Sequence, residues 1–230
     1  GHICGVKDDE LAVRWVQFGV FSPICRLHSS SGPFNGKEPW HYNPMAENII
    51  KNFLCLRHKL IPYLYTMNYR FAHDGLPLIQ PMYYQHPDDY EAYNVPNEYY
   101  FGSELIACPI TKPMDPKLGI AQVRIWLPEG EWFDVFTGMH YRGGRVIVSY
   151  RTLYRIPVFA KAGAVLPLAK LTENINATSN PAALDLYVFA GADNQFTLYE
   201  DNDKEGGSQR KAFTDFAFHW GKTCSLKIGA

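Results

Sequence analysis

The hydrophobic period of this chain changes once, near residue 76, and that change restricts the available folds more than any other feature. Over residues 46–74, Ile49, Phe53, Leu56, Leu60, Leu64, Met67 and Phe71 recur every three or four positions, the spacing of a helix with one apolar face. Pro62 removes a backbone donor inside that run, so a kink or break is expected near Ile61. Gly75, with Pro77 two residues on, reads as the stop. Beyond residue 76 the chain turns to short β-branched and aromatic runs divided by Gly, Pro and Asp: "YYFGSELIACPI", "AQVRIWLP", "GEWFDVFTG", "RVIVSY", "YRIPVFAKAGAVLPL", "ALDLYVFAG" and "QFTLYEDN". Regularly spaced runs of this kind predict an all-β sandwich or barrel. Its core is expected to include Trp126, Trp132, Phe136 and Phe159.

The first 30 residues add a second kind of unit. Residues 8–20 have helical spacing, with Leu11, Trp15 and Phe18 on one face, Asp8 and Asp9 at the capping end and Gly19 at the closing end. The apolar positions Phe21, Ile24 and Leu27 then read as a short strand, and a helix leading into a strand is half of a βα unit. A polar connector, "TENINATSNPA" at 172–182, divides the strands into two sets. Three domains are therefore expected, over residues 1–75, 76–172 and 173–230.

Composition excludes several functions. With 22 basic and 23 acidic residues the net charge is −1, so no electrostatic nucleic-acid surface is implied. No stretch approaches the ~18 apolar residues of a membrane helix, and no charged-then-apolar leader begins the sequence. The five cysteines are dispersed with no metal-ligand spacing; they read as buried free thiols, which suits a reducing, cytoplasmic setting. Asn176-Ala177-Thr178 matches a glycosylation sequon, a pattern common by chance. Fifteen tyrosines, 14 phenylalanines and 5 tryptophans suit a sugar-binding surface and equally a sandwich core.

Candidate chemistry concentrates in "FSPICRLHSS", residues 21–30, where an apolar run ends in Arg26 and His28. Polar side chains at the carboxyl end of a buried strand often form an active-site rim; an ordinary strand exit into water explains them as well. Retaining glycosidases need two carboxylates about 5–5.5 Å apart. The acidic groups here have structural explanations: Asp8, Asp9 and Glu10 begin a helix, Asp88 and Asp89 sit in a polar loop, and "YEDND" at 199–203 reads as a hairpin tip, a place where calcium also binds. No Ser/His/Asp set, phosphate loop or zinc pattern occurs. The residues alone describe a rim and a sandwich without a catalytic engine.

"ELAVRWVQFGVFSPICRLHSS" followed by "EPW" resembles the end of the catalytic barrel in glycoside hydrolase family 31, which includes α-glucosidases and α-xylosidases. "GSELIACPIT", "VRIWLPEGEWFDVFTG" and "IPVFAKAGAVLPL" resemble its proximal C-terminal sandwich, and "LDLYVFAGADNQFTLYEDN" the start of its distal one. The resemblance implies an α/β plus all-β chain: the last helix–strand–helix of a (β/α)8 barrel, an antiparallel β-sandwich, and part of a second sandwich. It implies that His28 binds hydroxyls of the sugar in the −1 subsite, with Arg26 beside it. Gly1-His2 resembles the tail of an Asp-Ile-Gly-Gly-aromatic motif, so His2 stands where an aromatic side chain commonly flanks the sugar; a cloning remnant is the other reading of these two residues.

The family's two catalytic aspartates belong to earlier strands and neither occurs here. The chain is therefore expected to be a C-terminal portion of a longer retaining α-glucosidase, inactive alone, needing no cofactor or metal. Its partners would be an α-glucoside or oligosaccharide and the remainder of the barrel, with no nucleic acid and no membrane. The alternatives are a non-catalytic carbohydrate-binding or structural sandwich module, or an α-xylosidase or α-glucan lyase of the same family. The barrel-like segment at 1–75 is what a free-standing module would not need.

Overall fold

A computed structural model describes residues 7–28, 36–172, 179–202, 204 and 210–229. Helix α1 (Asp9–Val20) starts where Asp8 accepts a hydrogen bond from the Leu11 N–H at 2.9 Å. It runs through Gly19, which does not close it; Phe21 is the cap and Ser22 donates its hydroxyl proton to the Phe18 carbonyl. The long helical pattern divides as Pro62 requires, into α2 (Pro44–Lys59) and α3 (Ile61–Asp74), and Gly75 ends α3 at φ +68°. Leu56 is only partly buried and Phe71 is exposed, so the apolar stripe frays at its C-terminal end.

Helices α1 and α2 run parallel. Asp9 at the start of α1 accepts from the Asn43 side chain, which caps α2, while Arg57 in the last turn of α2 reaches the Val20 carbonyl at the end of α1. The chain between them must return the length of a 12-residue helix, about 18 Å at 1.5 Å per residue. Parallel helices joined by such a return are the geometry of a βα repeat.

Residues 21–28 occupy that return, but they do not form the strand expected there: they make no ladder with any described residue, and Ile24 is 78% exposed. A strand exists only by pairing. The exposed face of α1 also corrects the sequence reading. Leu11, Trp15 and Phe18 do share a face, yet Leu11 and Trp15 are open and Phe18 is half-buried; the buried positions are Val13, Arg14, Val16, Gln17 and Val20. Gln17 donates to the Leu153 carbonyl at 2.7 Å, and Glu10 accepts from the Met114 N–H, so polar residues seat this helix on the β-rich part of the chain.

Thirteen strands follow among the described residues, and every pairing is antiparallel. A six-stranded sheet orders β1 (Ile79–Pro81), β2 (Tyr99–Phe101), β3 (Leu105–Ala107), β8 (Val158–Lys161), β5 (Glu131–Asp134) and β6 (His140–Arg142). The antiparallel pair of β4 (Ala121–Leu127) and β7 (Arg145–Arg151), with β5 and β6 inserted between them in the chain, covers one face. Strand β9 (Val165–Ala169) pairs with β10 (Leu184–Val188), and β11 (Asn194–Asp201), β12 (Lys211–His219) and β13 (Ser225–Gly229) form a last sheet against α3. A short helix at Met82–Gln85 and a 3-10 turn at Tyr90–Tyr93 interrupt the stretch read as strands alone. The "YED" of the acidic tip lies in β11 itself; Asp203 is outside the described residues.

Strands β2, β3 and β8 are buried on both sides, which is why they read as continuous apolar runs. On one side, Tyr100, Ile106 and Phe159 share a cluster with Ile125, Trp126 and Leu127 of β4 and with Trp132 of β5. Tyr99, Phe101, Leu105, Ala107, Val158 and Ala160 point the other way and share one core with all three long helices. Phe136, expected in the first set, belongs with the second, against Phe21 and Phe53. The cause is local: the fully buried Asp134 carboxylate accepts from the N–H groups of Phe136 and Thr137, both at 2.9 Å, turning the chain and breaking the two-residue alternation. Its other oxygen is held by Arg151. Gly102 at φ +68° makes the β2–β3 turn, and a Cβ there would meet the Tyr63 hydroxyl at 2.2 Å, so both backbone and space demand glycine.

Glu98 is 4% exposed. Burial pushes its carboxyl up from 4.5 to about 8, although it accepts a hydrogen bond from the Trp126 N–H at 3.0 Å. The folded chain then holds a proton that the unfolded chain releases, so this group's contribution is full below about pH 4.5 and is lost as pH rises towards 8. Glu98→Gln keeps the acceptor for Trp126 and carries no charge. Its unfolding free energy from urea titration should fall less between pH 5 and 9 than that of the parent, ending above it at pH 9 by a few kcal/mol in order of magnitude. Parallel pH profiles for the two proteins would contradict a protonated, buried Glu98.

Candidate functional site

Arg26 and His28 come together as the sequence suggested, three residues beyond the turn that ends α1. Both are exposed, and an Arg26 guanidinium nitrogen lies 3.0 Å from His28 Nδ1. Guanidinium only donates, so Nδ1 must accept, and a neutral His28 therefore carries its proton on Nε2. The pair sets a guanidinium against an imidazole, a combination whose chemistry suits hydroxyl groups. His2, the third expected contact, lies outside the described residues, as do Gly1 and the sequon at 176–178.

The backbone before this pair is held unusually tightly. Arg57 donates to the carbonyls of Val20 at 2.7 Å, Ser22 at 2.5 Å and Pro23 at 2.8 Å. The carbonyl between them, Phe21, accepts from the Tyr99 hydroxyl at 2.8 Å. Four consecutive carbonyls thus end on side chains from α2 and β2. Burial works against the Arg57 charge, and its partners here are carbonyls near the negative C-terminal ends of α1 and α2. Cys25 packs against Gly19, where an added Cβ would come within 3.2 Å of Sγ. Burial pushes the Cys25 thiol up, with Arg57 opposing, so it stays a protonated thiol and not a nucleophile.

Several of the acidic groups make structural hydrogen bonds. Asp8 caps α1, Asp9 ties α1 to α2, and Asp89 accepts from the Glu91 N–H to start the 3-10 turn. Asp201 accepts from the Tyr65 and Tyr199 hydroxyls, both at 2.8 Å. No group of three His, Cys, Asp or Glu side chains could hold a metal ion among the described residues. The described cysteines are all free, but only Cys108 is buried; Cys25 and Cys55 are half-buried and Cys224 is exposed, against the uniform burial expected.

Sequence reading missed Arg57 and Tyr99. Arg57 lies in the last turn of α2, where a basic residue reads as a dipole-complementing surface group, and Tyr99 lies in an apolar run that reads as core. The available signal was the bare end of α1, whose last carbonyls need donors.

The protein-family model described as the glycosyl hydrolases family 31 TIM-barrel domain matches residues 1–67, and that described as the glycosyl hydrolase family 31 C-terminal domain matches residues 75–166. An alpha-xylosidase of Saccharolobus solfataricus is 35% identical over 84% of this chain and 25% of its own length. Alpha-glucosidase 2 of Bacillus thermoamyloliquefaciens is 30% identical over 84% of this chain and 24% of its own length. Among solved structures, a Flavobacterium johnsoniae GH31 dextranase complexed with glucose superposes with a TM-score of 0.81 at 31% identity, over 95% of this chain and 27% of that one. The chain thus spans about a quarter of the length of the relatives it matches. The parallel helices and their return segment are the end of a TIM barrel, and the antiparallel sheets are the C-terminal sandwich region. Barrel strands pair on both edges, which explains why residues 21–28 form no ladder with the described residues.

The Arg26–His28 arrangement makes a spectroscopic prediction. In nitrogen-15 correlation spectra recorded where His28 is neutral, Nδ1 should show the shift of an unprotonated ring nitrogen and Nε2 that of a protonated one. The opposite tautomer would show that Arg26 does not donate to Nδ1.

Proposed function

This chain belongs to glycosyl hydrolase family 31, and on that premise we propose that it is the C-terminal portion of a retaining α-glucosidase whose −1 sugar subsite includes His28. The observation that carries the reading is the Arg26–His28 pair on the return segment between two parallel helices, inside the stretch matched by the TIM-barrel family model. Carboxyl ends of barrel strands are where such enzymes bind and react their substrates.

In this reading the two aspartates that break the bond, as nucleophile and as acid/base, come from earlier barrel strands, so the present chain contributes binding and no bond cleavage. Alone it hydrolyses nothing. His28 donates from Nε2 to a sugar hydroxyl, Arg26 fixes the ring, and His2 flanks the same sugar. Hydroxyl contacts of this kind strengthen as the ring flattens towards the oxocarbenium-like transition state. The barrel end spans 1–75, the proximal sandwich 76–172 and the distal one 173–230, and the sandwiches brace the barrel. Free thiols at all four described cysteines support a reducing, cytoplasmic setting.

The names of the relatives support α-linked glucosides as the substrate class. One observation favours a second reading: the relative that is 35% identical is an alpha-xylosidase. Comparing p-nitrophenyl α-glucoside with p-nitrophenyl α-xyloside on the longer enzyme that carries this chain separates the two.

His28→Ala in that enzyme should lower kcat/KM for the preferred glycoside by about 1–3 kcal/mol of transition-state binding, roughly five- to hundredfold, with most of the loss in kcat. Asp88→Asn and Asp89→Asn should leave it unchanged. A well-folded His28→Ala enzyme with parental kinetics would remove His28 from the subsite.

A further inference from the structure

We propose that Arg57 and Tyr99 are positioning residues for His28: by holding the four consecutive carbonyls of Val20–Pro23, they fix the backbone from which the sugar contact projects. The inference rests on the assignment of His28 to the sugar subsite and adds what sets its geometry. A carbonyl run leaving a helix is ordinarily satisfied by water or by turn hydrogen bonds. Here every member is taken by a side chain, and neither donor belongs to α1 or to the return segment.

Arg57 is suited to this task by its planar fork, which spans three acceptors at once. Lysine offers a compact ammonium that cannot match that spread. The guanidinium also keeps its charge in a partly buried place, stabilised by the carbonyl ends of two helices. Tyr99 completes the series from the sandwich side: it stands on β2, with its ring against Phe18 and its hydroxyl on the Phe21 carbonyl. Four residues separate Pro23 from His28, and Cys25, one of them, is packed on Gly19. The position of His28 is therefore set from α2 and from the sandwich. A displacement of about 1 Å in a contacting group is enough to cost two orders of magnitude in rate.

The test is a pair of double-mutant cycles in the full-length enzyme, reading kcat/KM with Tm as the check on folding. Tyr99→Phe removes a single hydroxyl and keeps the ring, so it folds even if Arg57→Lys does not. Each substitution should lower kcat/KM about three- to thirtyfold in the parent and less than about twofold in the His28→Ala background, because positioning residues and the group they position act as one unit. Equal losses in both backgrounds would make Arg57 and Tyr99 general supports and overturn the inference while leaving His28 in the subsite. Parental activity of Tyr99→Phe together with folded Arg57→Lys would overturn it in the same way. A parental His28→Ala enzyme would overturn both the subsite assignment and the inference that rests on it.

Discussion

Strands β2, β3 and β8 have no solvent face, and most of this structure follows from that. Alternate side chains leave them in opposite directions, one set into the sandwich and the other into the helices. Tyr99 and Tyr100 are neighbours in sequence and belong to different cores. The three helices of the barrel end are thus not an appendage of the sandwich; they share its central sheet. Burying a Phe or Leu side chain is worth about 1.5–3 kcal/mol. Phe101, Leu105 and Val158 contribute that burial only while the helices are in place.

The shared sheet also carries polar links from the sandwich to the return segment. Tyr99 passes from the sheet to the Phe21 carbonyl, and Gln17 from α1 to the Leu153 carbonyl. Hydrogen bonds to buried carbonyls are costly to break without replacement. The sandwich therefore bears directly on the backbone of the segment that carries Arg26 and His28.

Much of this was legible in the sequence because it depends on short-range physics. The change of period at residue 76, the break before Pro62 and the glycine cap at Gly75 are each dictated by a residue and its immediate neighbours. Arg26 and His28 were visible as polar groups ending an apolar run. The features that escaped notice depend on distant partners. Residues 21–28 have the composition of a strand, but a strand needs a neighbour to pair with. The alternation that assigned Phe136 to the sandwich core fails two residues after Asp134, whose buried carboxylate makes a turn that no periodicity encodes. Leu11 and Trp15 marked the apolar face of α1 by composition, while Gln17 and Arg14 took the buried one because carbonyls at Leu153 and Arg155 accept from that side. Glu98 stood directly beside an apolar run, the one sequence sign that a carboxyl is buried.

The central claim is that this last barrel segment brings His28 to the sugar. The most direct measurement is a crystal structure of the full-length enzyme carrying this chain, with a glucoside or a trapped glycosyl intermediate in its active site. His28 Nε2 should lie within about 3.2 Å of a hydroxyl of the sugar next to the cleaved bond, a normal hydrogen-bond distance, with residues 21–28 paired as a barrel strand. A bound sugar whose hydroxyls are all held by other side chains, with His28 turned away, would contradict the account.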